Sequence, residues 1–240
     1  MSFASTLALT ATALAGLAGT CAWGGLSYES QLFGQSLVSP PLPGQLALTF
    51  DDGPNPSTTP HLLEVLALHR ARATFFLIGD YALREPALTR QIYAAGHIIG
   101  NHTMHHAWLP RHSNAFIRAE MRTASQTIED ILGAPVALFR PPHGARRPYV
   151  YQAARELKLQ VVLWNVIVGD WKLRSADDLV KRIQSGMTHN QRRKRGTNLV
   201  LHDGSQHCPA ADRRATVHAV AALLDHLQPE TRFVTPLQWA

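Results

Sequence analysis

Cysteine is almost absent from this sequence of 240 residues, which contains only Cys21 and Cys208. The two lie far apart and in different contexts, so neither a disulfide framework nor a cysteine metal site is indicated. Internal repeats are absent as well. No glycine-rich phosphate loop follows the first apolar run, which disfavours an open sheet that binds a nucleotide.

Charged side chains are missing from residues 1–28, which are rich in alanine, leucine, glycine and threonine. Such a stretch is typical of an export signal or a membrane anchor, and the lack of basic residues at its start leaves both open. Residues 29–44 follow as a linker interrupted by three prolines. We therefore predict an exported protein of the cell envelope, with membrane association through the N-terminal segment and one catalytic domain over residues 45–240.

The charge of the chain is positive, with a net charge of +6 and a pI near 9.7. Such a charge suits an anionic partner, and we expect it to favour attraction to an anionic cell envelope. Much of it lies in the run from Arg192 to Arg195, which is typical of a solvated loop. No aromatic residues are interleaved with this run, so we do not expect a nucleic acid to be the partner.

Short apolar runs alternate with amphipathic stretches from residue 45 onward. The predicted strands are QLALTF, ATFFLI, HIIGNH, ALFRPP, QVVLWNV, TNLVLH and RFVTP, and helices are predicted near residues 58–70, 86–95, 113–132, 148–157, 175–186 and 211–227. Continuous apolar strands that alternate with helices indicate a parallel sheet covered on its faces. About seven such units predict an α/β barrel, incomplete at this length, and an open doubly wound sheet is the alternative.

Polar side chains follow the ends of five predicted strands. Because the carboxyl ends of parallel strands meet at one face, we expect these side chains to form one site. They are Asp51 and Asp52 after the first strand, His102 after the third, Arg140 after the fourth, Asp170 after the fifth and His202 after the sixth.

A metal site is suggested by the spacing of His102 and His106, four residues apart. Many histidine pairs at this spacing are incidental, but here a carboxylate is also expected nearby. Two histidines and one carboxylate form a catalytic zinc site that keeps one position open for water, and Asp52 would be the third ligand. Asp51 would then lie beside the metal as a general base, oriented by Arg140. The alternative for the two aspartates is an ordinary polar turn.

Five segments resemble, in order and spacing, the motifs of polysaccharide deacetylases, the NodB-homology domain or carbohydrate esterase family four. They are TFDDGPNP, HTMHH, RPPHG, WNVIVGDW and LVLHDG, and the resemblance covers roughly residues 45–236. It implies a distorted (β/α) barrel of about seven parallel strands. It also implies a divalent metal, with zinc the expected ion, bound by Asp52, His102 and His106.

The resemblance implies further roles. Asp51 would be the general base and Arg140 its tether, while His202 would be the general acid that protonates the leaving amine. A backbone N–H after Pro142, here that of His143, would bind the oxyanion.

Three positions depart from the family pattern. His143 replaces a residue that is commonly aromatic, and Val200 replaces a leucine that lines the acetyl methyl pocket. Ile167 replaces an acidic residue, so support of the arginine is assigned to Asp170. Trp171 would stack on a sugar ring, and Val200 and Leu201 complete the expected substrate-binding residues.

The function implied by the resemblance is that of a metal-dependent hydrolase. It would remove N-acetyl groups from N-acetylglucosamine-containing polysaccharide, either peptidoglycan or chitin-like oligomers. One alternative is an esterase that removes O-acetyl groups, which would use the same ligands. Another is a non-catalytic carbohydrate-binding barrel, which the complete set of ligands, base and acid disfavours.

Overall fold

The computed structural model describes residues 19–172 and 174–240, and one sheet of parallel strands forms its centre. The strand order is β5-β4-β3-β2-β1-β7-β6, and β8 pairs with the start of β1. In the described part of the chain the end strands β5 and β6 do not pair with each other, so the barrel is open. The strands are β1 Gln45–Gly53, β2 Ala73–Leu77, β3 Ile98–Asn101, β4 Leu138–Phe139, β5 Gln160–Val161, β6 Val166–Ile167, β7 Thr197–His202 and β8 Arg232–Phe233.

Seven helices between the strands pack on the outside of the sheet. They are α1 Thr59–Leu68, α2 Gly79–Arg84, α3 Pro86–Ala94, α4 Asn114–Leu132, α5 Pro148–Glu156, α6 Ala176–Arg192 and α7 Arg214–Asp225. Their ends follow from local chemistry: the Ser113 hydroxyl accepts from the N–H of Phe116, and Gly133 ends α4 with a φ of 65°. The predicted distorted barrel is therefore confirmed.

Two details of the prediction were wrong. The fifth predicted strand is split into β5 and β6, because side chains replace strand neighbours as partners of the carbonyls between them. Arg140 donates to the carbonyl oxygens of Val162 and Leu163, and Asn198 donates to that of Leu163. Helix α2 was not predicted at all; it is only six residues long and is followed directly by α3.

Alternation along the strands separates an outer core from the barrel interior. On the outer side, Phe50 of β1 stacks on Phe75 of β2 with ring centroids 5.1 Å apart, and both belong to the large cluster beneath the helices. The next residue, Phe76, belongs to a separate small cluster with Leu138 and Val162. Polar side chains are also enclosed in this interior, where the carboxyl ends of the strands meet.

Residues before β1, from the stretch predicted as a linker and from the end of the predicted signal or anchor, pack against the barrel. Leu37 covers the free edge of β5: its N–H donates to the carbonyl of Val161, and its carbonyl accepts from the N–H of Leu163. The guanidinium of Arg146 is buried and donates to the carbonyl oxygens of Ser27 and Ser30. Residues 19–26 are helical.

The predicted export signal or anchor lies mostly outside the described residues, which begin at residue 19. Among the residues that the structure describes, none of the helices has the length and apolar character needed to cross a membrane. The domain boundaries at residues 28 and 44 stay predictions.

Candidate active site

A cavity of about 410 Å³ opens at the carboxyl ends of the strands. Parallel strands direct the residues that follow them into this space, as the sequence predicts. Of the predicted site residues, those that line it are Asp51, Asp52, His102, His106, His143, Trp171, Val200 and His202. Arg140 and Asp170 lie behind this wall, each bonded to a residue that lines it.

Three of these side chains form a compact ligand set. Oδ1 of Asp52 lies 3.1 Å from Nε2 of His106 and 3.4 Å from Nε2 of His102. Ligands about 2.1 Å from a tetrahedral ion lie roughly 3.4 Å apart, so the spacing fits a divalent cation. Oδ1 of Asp52 is buried and makes no hydrogen bond to the described residues, as expected for an atom that faces a metal. The predicted ligands are therefore placed to hold a divalent metal ion.

The ionisation of Asp52 also suits a metal. Burial alone would raise the pKa of this carboxyl, but the adjacent imidazoles of His102 and His106 outweigh it and hold the pKa well below its usual value. Asp52 therefore stays an anion although it is shielded from solvent.

The ring of His102 is oriented by the backbone. Its Nδ1 lies 2.7 Å from the carbonyl oxygen of Arg140, and because a carbonyl can only accept, Nδ1 must carry the hydrogen. In the neutral ring Nε2 then keeps its lone pair, and this atom faces Asp52. A carbonyl that fixes the tautomer of a ligating histidine is a usual feature of metal sites.

The backbone around the ligands is held in a sparsely populated conformation. Seven non-glycine residues in the described part of the chain have a positive φ, and four of them belong to this region. Asp52, Thr103, His106 and His143 have φ values of 69°, 66°, 56° and 57°. The Thr103 hydroxyl accepts from the N–H of His106, which holds the turn between the histidines.

Asp51 is fixed by a buried arginine. Nη1 of Arg140 lies 2.7 Å from Oδ1 of Asp51 and 2.8 Å from the hydroxyl of Thr49. The guanidinium is fully buried, with its carbon 4.2 Å from the ring centroid of Phe76. Burial lowers the pKa of Arg140, and the charge of Asp51 opposes this effect. Oδ2 of Asp51 is left to face the ligands, 3.9 Å from Nε2 of His102.

His202 is paired with Asp170 on the opposite wall. Its Nδ1 lies 2.9 Å from Oδ1 of Asp170, and its backbone N–H donates to Oδ2 at 2.7 Å. Burial lowers the pKa of His202, but the charge and hydrogen bond of Asp170 outweigh it and raise the pKa to about 9. His202 is therefore a cation at neutral pH, and Nε2 is its free donor.

The predicted support of Arg140 by Asp170 was wrong. Asp170 follows β6, which pairs with β7, the strand that ends in His202. Arg140 follows β4, on the other side of β1. The order of strands in the sheet, which sequence spacing does not give, assigns Asp170 to the histidine.

The substrate-facing wall is aromatic. The His143 ring lies between His106, with centroids 4.7 Å apart, and Trp108, at 5.0 Å. Burial, together with the neighbouring imidazoles, lowers the pKa of His143 to about 4. Trp171 is 45% exposed and meets His202 edge to face at 5.0 Å.

Val200 lines the cavity as predicted, but Leu201 does not. Leu201 is fully buried in the outer core, because successive residues of a strand face opposite sides. The same alternation places Val200 and His202 together on the inner face.

Several residues of the site were not predicted. Thr49 lies two residues before Asp51 on the same face of β1, a signal that alternation alone could have given. Asp203 is fully buried and accepts a hydrogen bond from the Thr59 hydroxyl. Burial raises the pKa of Asp203 to about 7. The loop after β7 adds further cavity residues, Ser205, Gln206, His207 and Arg213, for which the sequence offered no motif.

Comparison with known proteins places this geometry in context. The family model described as Polysaccharide deacetylase matches residues 39–162. A peptidoglycan-N-acetylglucosamine deacetylase of Bacillus cereus is 36% identical over 193 residues, which cover 79% of this chain and 85% of that protein. A chitooligosaccharide deacetylase of a Bradyrhizobium species is 37% identical over 199 residues, which cover 79% of this chain and 87% of the relative.

A similar fold occurs in the crystal structure of a peptidoglycan N-acetylglucosamine deacetylase bound to 4-naphthalen-1-yl-N-oxidanyl-benzamide. The TM-score is 0.75 at 27% identity, over 85% of this chain and 91% of that one.

Proposed function

This chain belongs to the polysaccharide deacetylase family, and we propose how its residues divide the hydrolysis of an N-acetyl group between them. As a member of this family it is a metal-dependent hydrolase. The proposed substrate is an N-acetylglucosamine-containing polysaccharide, either peptidoglycan or a chitin-like oligomer. The observation that carries the proposal is that a ligand set, a tethered carboxylate and a protonated histidine face one cavity.

Asp52, His102 and His106 are the proposed ligands, and zinc is the proposed ion. When bound there, the ion would supply a Lewis acid that polarises the acetyl carbonyl and makes water more acidic. Asp51 acts as the general base: Arg140 occupies its Oδ1, so Oδ2 receives the proton of the attacking water.

His202 acts as the general acid. Because Asp170 binds its Nδ1–H, the Nε2–H is directed to the leaving nitrogen. The oxygen of water bonds to the carbonyl carbon and the carbon–nitrogen bond breaks. His202 gives its proton to the nitrogen, and acetate and a free amine leave. The backbone N–H of His143 supports the oxyanion, and Val200 lines the pocket for the acetyl methyl group.

The first test is acetate release from penta-N-acetylchitopentaose by the full chain, loaded with zinc or treated with a chelator. We expect release only from the loaded protein. Asp51→Asn should lower kcat at least a hundredfold, since the base is lost without a change of size. Asp130→Asn makes the same substitution at an exposed position of α4 and should keep full activity. Equal turnover by Asp51→Asn and the parent protein would refute the role of the base.

O-acetyl ester hydrolysis is the second candidate, since the same ligands serve it. An amine leaves only after it is protonated, whereas an alcohol leaves more readily, so a histidine held as a cation favours the amide. If His202→Asn abolished release from both an acetylated xylan and chitopentaose equally, this distinction would be wrong.

Export to the cell envelope, with residues 1–28 as a signal or an anchor, is also a proposal. It is supported by the absence of charge in that segment. Fractionation of cells that express the tagged full chain would test it, and recovery in the cytosol would contradict it.

A further inference from the structure

A second cavity of about 510 Å³ adjoins the catalytic one. The two share the side chains of Trp171 and Arg213. Asp170 lines the second cavity while its carboxylate holds His202 in the first. A polymer that passes over Trp171 therefore reaches the second cavity directly from the site of reaction.

The lining of this second cavity has more positive charge than its carboxylates neutralise. Four cationic side chains line it, and two of them are paired: Arg174 with Asp178, and Arg214 with Asp212. The remaining carboxylate, that of Asp170, is occupied by His202 and Thr216. His218 lines the cavity as well.

Of these four cations, Lys172 and Arg213 have no ion-pair partner among residues 19–172 and 174–240. Nε of Arg213 donates to the carbonyl oxygen of Gly204 at 2.7 Å, which fixes the half-buried guanidinium and leaves its two terminal nitrogens available. Lys172 is exposed directly after Trp171. An oriented guanidinium is well suited to bind a carboxylate through two parallel hydrogen bonds.

We infer that the second cavity is a subsite for a carboxylate carried by the sugar next to the one that is deacetylated. This inference rests on the proposed function and narrows its substrate to an acidic N-acetylated glycan rather than a neutral one. Trp171 supports a sugar ring beside His202, and the substituent of the neighbouring sugar extends toward Lys172 and Arg213. The carboxylate is either a lactyl group on that sugar or part of an attached peptide.

The test compares three polymers that share one backbone of alternating N-acetylglucosamine and N-acetylmuramic acid. One keeps its peptides, one has free lactyl carboxylates after removal of the peptides, and one has those carboxylates converted to neutral methylamides. We expect kcat/KM of the zinc-loaded full chain to be at least tenfold higher for an acidic strand than for the methylamide strand, mostly through KM. The preference should decrease as salt is added.

The double variant Lys172→Gln/Arg213→Gln should reduce this preference to about twofold or less. The matched control is Arg192→Gln/Arg193→Gln, which removes two charges from exposed positions at the end of α6. The control should keep the preference. A preference for the peptide-bearing strand alone would support the subsite and assign the carboxylate to the peptide.

Binding is measured separately in the Asp51→Asn background, by the fluorescence change on titration with each strand. If acidic strands bind more tightly than the methylamide strand, and the Lys172 and Arg213 substitutions abolish that difference, the subsite is supported. This conclusion holds even if no strand releases acetate, because absent turnover would refute only the proposed function. Equal binding and equal turnover of acidic and methylamide strands would overturn the subsite. A preference that survives in the double variant, or that the control also loses, would overturn it as well.

Discussion

Replacing Asp170 with asparagine should remove the charge that keeps His202 protonated. Asparagine has the same shape and still accepts from the backbone N–H of His202, so the geometry should change little. In the parent protein the pKa of His202 is raised from 6.5 to about 9. A difference of this size corresponds to about 3 kcal/mol between the two protonation states.

Without the carboxylate of Asp170, little opposes the effect of burial, which lowers the pKa of His202. We therefore expect this pKa to be below its ordinary value of 6.5. At about pH 7.5 the protonated fraction would then decrease from about 97% to less than about 10%. The alkaline limb of the pH profile of kcat should therefore move to lower pH by more than about two units.

Two measurements test this prediction. Side-chain NMR titration of the metal-free protein, with His202→Asn for assignment, gives the pKa directly, and acetate release by the zinc-loaded enzyme gives the pH profile. Thr216→Val removes one hydrogen bond to Asp170 but no charge, and it should cause a much smaller shift. A pKa that changes by less than about half a unit in Asp170→Asn would refute the reasoning.

The same pair makes stability depend on pH. The folded-state pKa of His202 is higher than its unfolded value, so the folded state binds the proton more tightly. The stabilisation is complete below about pH 6.5 and is lost as the pH rises through about 9. Asp170→Asn should remove this dependence from urea unfolding curves recorded across that window.

Three further predictions concern buried groups. Arg140→Lys keeps the charge but cannot reproduce the fork of hydrogen bonds, so the free energy of unfolding measured in urea should decrease by about 3 kcal/mol. Unchanged stability would contradict this. Deletion of residues 1–44, compared with deletion of residues 1–18, removes the carbonyl acceptors that Ser27 and Ser30 offer to Arg146, so it should lower the melting temperature by about 10 °C. Equal melting temperatures would show that the stretch from 19 to 44 is dispensable. Gly100→Ala places a methyl group 2.5 Å from the ring of Phe76 and should lower the free energy of unfolding by about 2 kcal/mol, measured by calorimetry. Unchanged stability would contradict this steric conflict.

Much of the site could be predicted because parallel strands bring their carboxyl ends together. The positions of Asp52, His102 and His106 follow from this rule and from ligand chemistry alone. Leu201 was misplaced although alternation with His202 would have excluded it, so that error could have been avoided from the sequence.

Other features depend on contacts between distant parts of the chain. The partner of Asp170 follows from β6 lying next to β7, and a sequence does not state which strands are neighbours. The packing of Leu37 on β5 likewise depends on the barrel being open, which leaves carbonyl and N–H groups of that edge in need of partners. The prolines at residues 40–43 led to the prediction of a linker, because composition indicates how stiff a segment is but not what it packs against.

The positive φ angles around the ligands have a consequence for laboratory evolution. At Asp52, Thr103, His106 and His143 glycine would relieve backbone strain, yet the sequence has a residue with a side chain at each of them. A screen that rewards heat resistance alone should therefore accept glycine at these positions first, and it would lose the proposed metal ligands before it destabilised the barrel. Libraries for a more stable variant should hold these four codons constant, because the residues that would best suit the backbone there differ from those that the proposed activity needs.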